Sequence, residues 1–255
     1  MKKYNRAILL VLILSFTVVP KIYALTFSAS QANPALKANP QPIPLVGFWH
    51  LNEGAGFSAV DSSPYNNNGA VSNTGAAWVP GHYGNGLNFS GDPNGRVIIP
   101  DSNSLHLQST FTIMAWVKPA SLAGPAVVIS KYTGPPAGTN ITFSIKQAVN
   151  ANNGKWEIDT TFFNLWSNLL IQVGVWQHLA VTYDGNIAKL YINGILDNSV
   201  VVPGGIFYII SDPVIIGGQN GTINDRAPYN GTIDEVRIYN KALTQPQVVN
   251  DMNTP

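Results

Sequence analysis

The sequence predicts an all-β protein: two packed antiparallel sheets and one short helical turn near the C-terminus. Three observations predict it. Polar and apolar residues alternate over short runs, as half-buried strands require. Turn formers are abundant, with 23 Gly and 18 Pro in 255 residues, and Asn occurs in clusters such as Asn66-Asn67-Asn68. No long run of helical period occurs, so sheet-on-sheet packing is the layer architecture that remains.

The elements follow in order. Lys2, Lys3 and Arg6 precede an uncharged, mainly apolar run from Ala7 to Val19, and Ile22-Tyr23-Ala24 offers a cleavage point. Residues 1–24 therefore read as an export signal, too short in its apolar part to span a bilayer. Residues 25–44, with Pro34, Pro40, Pro42 and Pro44, read as an extended linker. The folded domain is expected over 45–255. In Phe111 to Val117, Phe111, Ile113, Ala115 and Val117 share one face while Thr112, Met114 and Trp116 share the other. Trp176 to Tyr183 alternates as well. Leu190-Tyr191-Ile192, Asn193-Gly194 and Ile195-Leu196 spell a hairpin, because Asn and Gly tolerate positive φ. Further strands are expected at 46–51, 86–89, 96–99, 127–131, 141–146, 156–162, 199–202, 214–217 and 233–239. Thr244 and Gln247 form a capping box, with Pro246 in the first turn of a short helix.

Composition narrows the function. Charged residues are 11% of the chain and net charge is +1, so no basic stripe exists to neutralise nucleic-acid phosphates. The chain has no Cys, which excludes a disulfide scaffold and thiolate-ligated metals. A core of this size folds without disulfides, so export remains the expectation. The four histidines show no metal-ligand spacing, and no nucleophile elbow or phosphate loop occurs.

Five blocks carry a resemblance. Gly47-Phe48-Trp49-His50-Leu51-Asn52-Glu53-Gly54 is followed by Asp61-Ser62-Ser63 and an Asn-rich stretch to Gly69. Then come Gly84-Asn85-Gly86-Leu87-Asn88-Phe89-Ser90-Gly91 and Phe111 to Pro119. Trp176 to Gly185 with Leu190 to Gly194 forms the fourth, and Gly231 to Asn240 with Ala242-Leu243-Thr244 the last. In this order the blocks resemble the laminin G-like jelly-roll domains of the concanavalin A-like lectin/glucanase superfamily, over about residues 45–252. The resemblance implies a jelly roll whose first and last strands are neighbours, and a ligand that is a glycan or a protein outside the cell. It also implies a structural calcium ion, with Asp234 as first candidate ligand and Glu53 and Asp61 within reach. The second calcium site of pentraxins lacks its acidic residues here, since Gly218 to Thr222 carries no carboxylate.

Two functional readings compete with a third. A glycan-binding module needs aromatic rings for the sugar's apolar face and amides for its hydroxyls. Trp166, flanked by Asn164 and Asn168, offers such a set, as do Tyr132 and Tyr229, and these five are the candidate ligand residues. A protein-binding adhesion or structural domain is the second reading. The third is a diverged laminarinase-type hydrolase, which needs Glu-x-Asp-x-x-Glu on one strand. Glu157 and Asp159 fit the first two positions, but Phe162 stands where the general acid belongs, so a non-catalytic protein is expected.

Overall fold

In the last strand, from Asn230 to Tyr239, apolar side chains must face one way along the whole length, yet Ile233 and Val236 are three residues apart and both lie in the core. A bulge at Asp234-Glu235 resolves this, with Glu235 at φ 52° and a register shift before Arg237. Around this strand the computed structural model, which describes residues 44–133, 140–148, 154–205 and 211–255, assembles two antiparallel eight-stranded sheets.

The strands, in chain order, are β1 (Leu45–Trp49), β2 (Ser58–Ala59), β3 (Gly69–Val71), β4 (Ala76–Pro80), β5 (Asn85–Ser90) and β6 (Val97–Ile99). They continue with β7 (Phe111–Pro119), β8 (Ala126–Thr133), β9 (Asn140–Gln147), β10 (Lys155–Asp159), β11 (Asn164–Leu170) and β12 (Gln177–Tyr183). The last are β13 (Ile187–Ile192), β14 (Ile195–Val201), β15 (Val214–Ile216) and β16 (Asn230–Tyr239), and helix α1 (Gln245–Met252) closes the chain. The first sheet runs β14-β13-β12-β7-β16-β5-β4, with β1 also on β16; the second runs β11-β10-β9-β8-β15-β6-β3-β2. Phe48 pairs with Arg237 and Trp49 with Val236, so the opening and closing strands are neighbours, as expected of a jelly roll.

The core lies between the sheets. Trp49, Phe89, Phe111, Ile113, Val181 and Ile233 meet Val97, Ile129, Phe143, Trp156, Ile158 and Ile216 across it, all at most 1% exposed. The hairpin turn forms with Asn193 at φ 51° and Gly194 at φ 76°, which joins β13 to β14. The expected strand 156–162 ends instead at Asp159. Thr160 turns the chain, its Oγ1 accepting from the Phe163 N–H and donating to the Phe163 carbonyl, each at 3.0 Å, and β11 follows as a strand of its own. The short strands β2, β3 and β4 were not expected either.

Two buried carboxylates fix the loops. Asp61 accepts from Phe48 N, Ser63 N, Ser63 Oγ and Asn67 N at 2.7–2.8 Å, tying the Asn-rich loop to β1. Asp234 Oδ2 accepts from His82 N at 2.8 Å and Tyr83 N at 2.9 Å, and Oδ1 from Glu235 N at 2.9 Å. A Cβ on Gly81 would lie 2.6 Å from Asp234 Oδ2, so only Gly lets the 81–84 loop approach. Removing the Asp61 side chain orphans three backbone donors. Asp61→Ala is expected to lower stability by about 3 kcal/mol, or roughly 10 °C in melting temperature for a domain of this size. A shift below about 2 °C in a calorimetric scan would refute this role.

The C-terminal segment covers part of the outer face of the first sheet. Leu243 and Val248 pack on Met114, Ala180, Tyr191 and Tyr239, and Gln247 Oε1 accepts from Thr244 N at 2.9 Å to start α1. Trp116 stacks on His82 at 3.6 Å and donates from Nε1 to the Met252 carbonyl at 3.2 Å. His178, 1% exposed, sits beside Trp116 with ring centroids 5.3 Å apart. Burial, with the charges of Arg237 and His82 adding, pushes His178 down to about 3. It is therefore neutral when folded, while the unfolded chain takes up a proton near pH 6.5. His178 thus costs stability as pH falls from about 6.5 toward 3. Asp234 acts in the opposite sense: burial, and then the charge of Glu235, raise it to about 7 against the pull of its N–H bonds. It holds a proton in the native state below that pH, so its contribution grows on acidification. His178→Gln should leave only the second slope, so its melting temperature falls less between pH 6.5 and 4.5 than that of the parent. Equal slopes in the two proteins would contradict the assignment.

Candidate functional site

On β10 the side chain of Ile158 enters the core, so Glu157 and Asp159 on either side of it project from the outer face of the second sheet. Register then decides their company. Glu157 lies between Lys146 of β9 and Trp166 of β11; Asp159 lies between Ser144 and Asn164. Lys146 Nζ donates to Asp159 Oδ2 at 2.6 Å and stands 3.7 Å from Glu157 Oε1. Asn164 Nδ2 donates to Glu157 Oε1 at 3.0 Å. Ser144 Oγ is buried with no hydrogen-bond partner. On β8, Ser130 pairs with Ser144, and Tyr132, two residues on, shares the face. Burial and the charge of Asp225 raise the Tyr132 hydroxyl above its ordinary pKa, with Lys146 pulling the other way.

Lys146 and Val127 also border a cavity of about 590 Å³, walled from the loops before β8 and before β16 and by Ser90 and Gly91. Ser121, Gln219, Asn224, Asp225 and Asn230 give it donors and acceptors. Polar side chains on a sheet thus run from the edge strand β11, across β10 and β9, to this hollow.

Of the five candidate ligand residues, Trp166, Tyr132 and Asn164 come to this face. Trp166 and Tyr132 are half-buried and Asn164 is exposed. Tyr229 does not: it is 0% exposed, packs edge-on against Phe89 at 6.5 Å, and its N–H donates to the Gly217 carbonyl at 3.0 Å. The backbone turns that ring into the core and puts its neighbour Asn230 at the cavity instead. Asn168 is a brace. Its N–H donates to Asp197 Oδ2 at 2.6 Å and its amide to the Asp197 carbonyl at 2.5 Å, joining β11 to β14 at the sandwich edge. Lys146, Asn224 and Asp225 were missed as site residues. For Lys146 the signal was the positive charge at the end of the run 141–146, legible only once β9 and β10 are in register.

Two of the three carboxylates expected to hold calcium are spent elsewhere, and the third, Glu53, keeps Oε2 buried without a hydrogen-bond partner among the described residues. Every Asp234 and Asp61 oxygen accepts N–H or hydroxyl donors, and Glu53 Oε1 accepts from Val60 N at 2.7 Å. Calcium requires six to eight converging oxygens, and among the described residues no three His, Asp or Glu side chains gather into such a group. An ion at Glu53 would have to draw most of its oxygens from carbonyls and water. Chelation with EDTA followed by calcium titration is accordingly expected to leave the melting temperature within about 1 °C, whereas a resident ion at a hundred times its Kd would add about 2.7 kcal/mol.

A family model for the concanavalin A-like lectin/glucanases superfamily, Laminin_G_3, matches residues 89–249. The chain belongs to that superfamily. No curated protein matches it in sequence. Among solved structures, this superfamily member is similar to domain 4 of AbnA, an extracellular arabinanase from Geobacillus stearothermophilus, in complex with arabinotriose. Identity is 22% and the TM-score 0.65, covering 84% of this chain and 100% of that one. It is also similar to the binding domain of Paraclostridial Mosquitocidal Protein 1, at 20% identity and a TM-score of 0.63, over 83% of this chain and 52% of that one. Trypanosoma rangeli sialidase, in complex with the inhibitor DANA, gives 19% identity and a TM-score of 0.61, over 86% of this chain and 34% of the enzyme. The chain thus spans about half of the toxin domain and a third of the sialidase. At these identities the likeness is one of fold, and that fold serves binding domains and glycosidases alike. No helix among the described residues is long and apolar enough to cross a membrane. The expected signal segment, and all of the expected linker but Pro44, lie outside the described residues.

Proposed function

We propose that the chain is a non-catalytic carbohydrate-binding module working outside the cell, with its sugar on the outer face of β8–β11 and in the adjoining cavity. One observation carries this reading: two aromatic rings, an exposed amide and an ion-paired polar cluster share one face that leads into a 590 Å³ hollow. Rings cover the apolar face of a sugar, and fixed donors and acceptors read its hydroxyls. The arabinanase domain, similar over its whole length, was solved with a trisaccharide, which supports a sugar as the ligand class. The basic, then apolar, N-terminal run and that enzyme's extracellular setting support export.

Glycoside hydrolysis by carboxylates needs one group as nucleophile or base and another as a protonated acid. Here Glu157 and Asp159 lean on the same ammonium, at 3.7 Å and 2.6 Å, and no third carboxylate on β10 joins them. The third position holds Phe162, 41% exposed on the turn after β10. The strand lacks the third carboxylate of the hydrolase pattern, which supports binding without turnover.

Titration calorimetry against a panel of plant and bacterial oligosaccharides tests the reading. Binding should appear without reducing-sugar release, and Trp166→Ala should weaken it about tenfold, equal to about 1.4 kcal/mol. Affinity unchanged in Trp166→Ala, or turnover abolished by Glu157→Gln, would overturn it.

A further inference from the structure

We infer that the chain carries a second sugar site on the opposite side of the sandwich, a polar hollow on the outer face of the first sheet that takes a neutral, hydroxyl-rich ligand. The inference rests on the carbohydrate reading above for the class of ligand, and adds a place for it that shares no residue with the first face.

The strand period builds the hollow. In β12 and β13, Val181, Ala188 and Leu190 face the core, so Thr182, Lys189 and Tyr191 face outward. Thr182 lies directly across from Lys189. Leu243 and Val248 cover the Tyr191 ring. Past that cover, a cavity of about 430 Å³ lies between the strands and residues 242–245. Its far wall is anchored: Leu243 N donates to Thr112 Oγ1 at 2.8 Å, and Gln245 Nε2 to the Gly194 carbonyl at 2.9 Å. The volume is that of a small-ligand pocket.

The lining groups are available. Thr182 and Tyr191 are each 3% exposed and both border the cavity. Neither hydroxyl has a hydrogen-bond partner among the described residues, and neither is sealed from solvent. Lys189 borders the same cavity and makes no ion pair or hydrogen bond through its side chain among the described residues. Asp184 spends Oδ1 on the N–H groups of Asn186 and Ile187, at 2.9 and 2.7 Å, and keeps Oδ2. Gln245 gives its amide nitrogen to Gly194 and keeps its oxygen.

This set matches a sugar. The ammonium only donates, the carboxylate and amide oxygens only accept, and the two hydroxyls do either. One ammonium and one carboxylate leave the lining side chains without net charge, so they favour neither an anion nor a cation. Sugar hydroxyls donate and accept at once, and their bonds to charged partners are the strong ones. Leu196, 45% exposed at the rim, offers an apolar contact to ring carbons.

The two sites open in opposite directions from sheets packed about 10 Å apart. A short oligosaccharide cannot occupy both, so the chain holds two sugars at once.

The test is calorimetry with arabinotriose, xylotriose and cellotriose. Two sugars should bind per chain. Trp166→Ala should weaken one event about tenfold, and Lys189→Met with Tyr191→Phe the other about tenfold. If the double variant melts early, amide shifts in the parent protein decide: sugar should move Thr182, Lys189 and Tyr191 as well as Glu157 and Trp166. One sugar per chain with 182–191 unmoved, or a second event kept at full strength in the Lys189→Met, Tyr191→Phe protein, would overturn the inference and leave the carbohydrate reading standing. Binding weakened by the Lys189 and Tyr191 changes but not by Trp166→Ala would uphold the hollow and overturn the placement on β8–β11. No binding by any of the three sugars would overturn both.

Discussion

The bulge in β16 is the constraint on which the sandwich depends. This strand has β7 along one side and shares its other side between β5, at residues 230–233, and β1, at residues 236–239. Asp234-Glu235 stands at the junction of those two neighbours. The extra residue resets the alternation so that Ile233 and Val236 both reach the core. It would also leave backbone donors of the 81–84 loop and of the bulge without strand partners, and the Asp234 carboxylate accepts three of them. The side chain is thus bound up with the closure of the first sheet, which is why a polar group stands there at 0% exposure.

From that bulge the outer surface of the first sheet is organised as well. Glu235 accepts from Arg237 at 2.8 Å and stands 3.0 Å from His50, while Arg237 caps the Phe48 ring at 4.0 Å and donates to the Asp251 and Thr254 carbonyls. Tyr239 donates to Asp251 at 2.6 Å. The C-terminal helix is strapped down by residues of the strand that closes the sheet. Part of that outer face is therefore committed to packing against α1, while the polar outer face of β8–β11 carries no such helix.

Much of this was legible in the sequence because strand residues obey a period of two wherever one face is buried. Phe111 to Val117 sorts into two faces from spacing alone, one in the core between the sheets and one that the C-terminal segment then buries. The capping box at Thr244 and the Asn193-Gly194 turn are local chemistry, so they too could be read directly. What failed was non-local. In Phe162 to Asn168 the aromatic and amide residues looked like a ligand loop, but the turn at Thr160 makes them an edge strand, and Asn168 is drawn to Asp197 on another sheet. Tyr229 and Asn230 differ by one residue, and one residue is the whole difference between core and cavity. Lys146 carried no motif. Its importance comes from lying across from Glu157, and register is a property of the assembled sheet.

The Glu157-Asp159 pair illustrates why a spacing is not a mechanism. Two carboxylates on one strand face are the start of a hydrolase when one of them is kept protonated by its surroundings and the other faces the reacting carbon. Here the neighbouring strand contributes an ammonium that bonds one and approaches the other, and an amide that donates to Glu157. Those partners hold the pair in a fixed ion-paired network, an arrangement that orients hydrogen bonds on the face of the sheet. Replacing an acid's environment in this way needs one lysine on an adjacent strand and one phenylalanine in place of a carboxylate. On the proposed reading, a sandwich of this kind holds a sugar and leaves its bonds intact with a pair of carboxylates spaced as in a hydrolase.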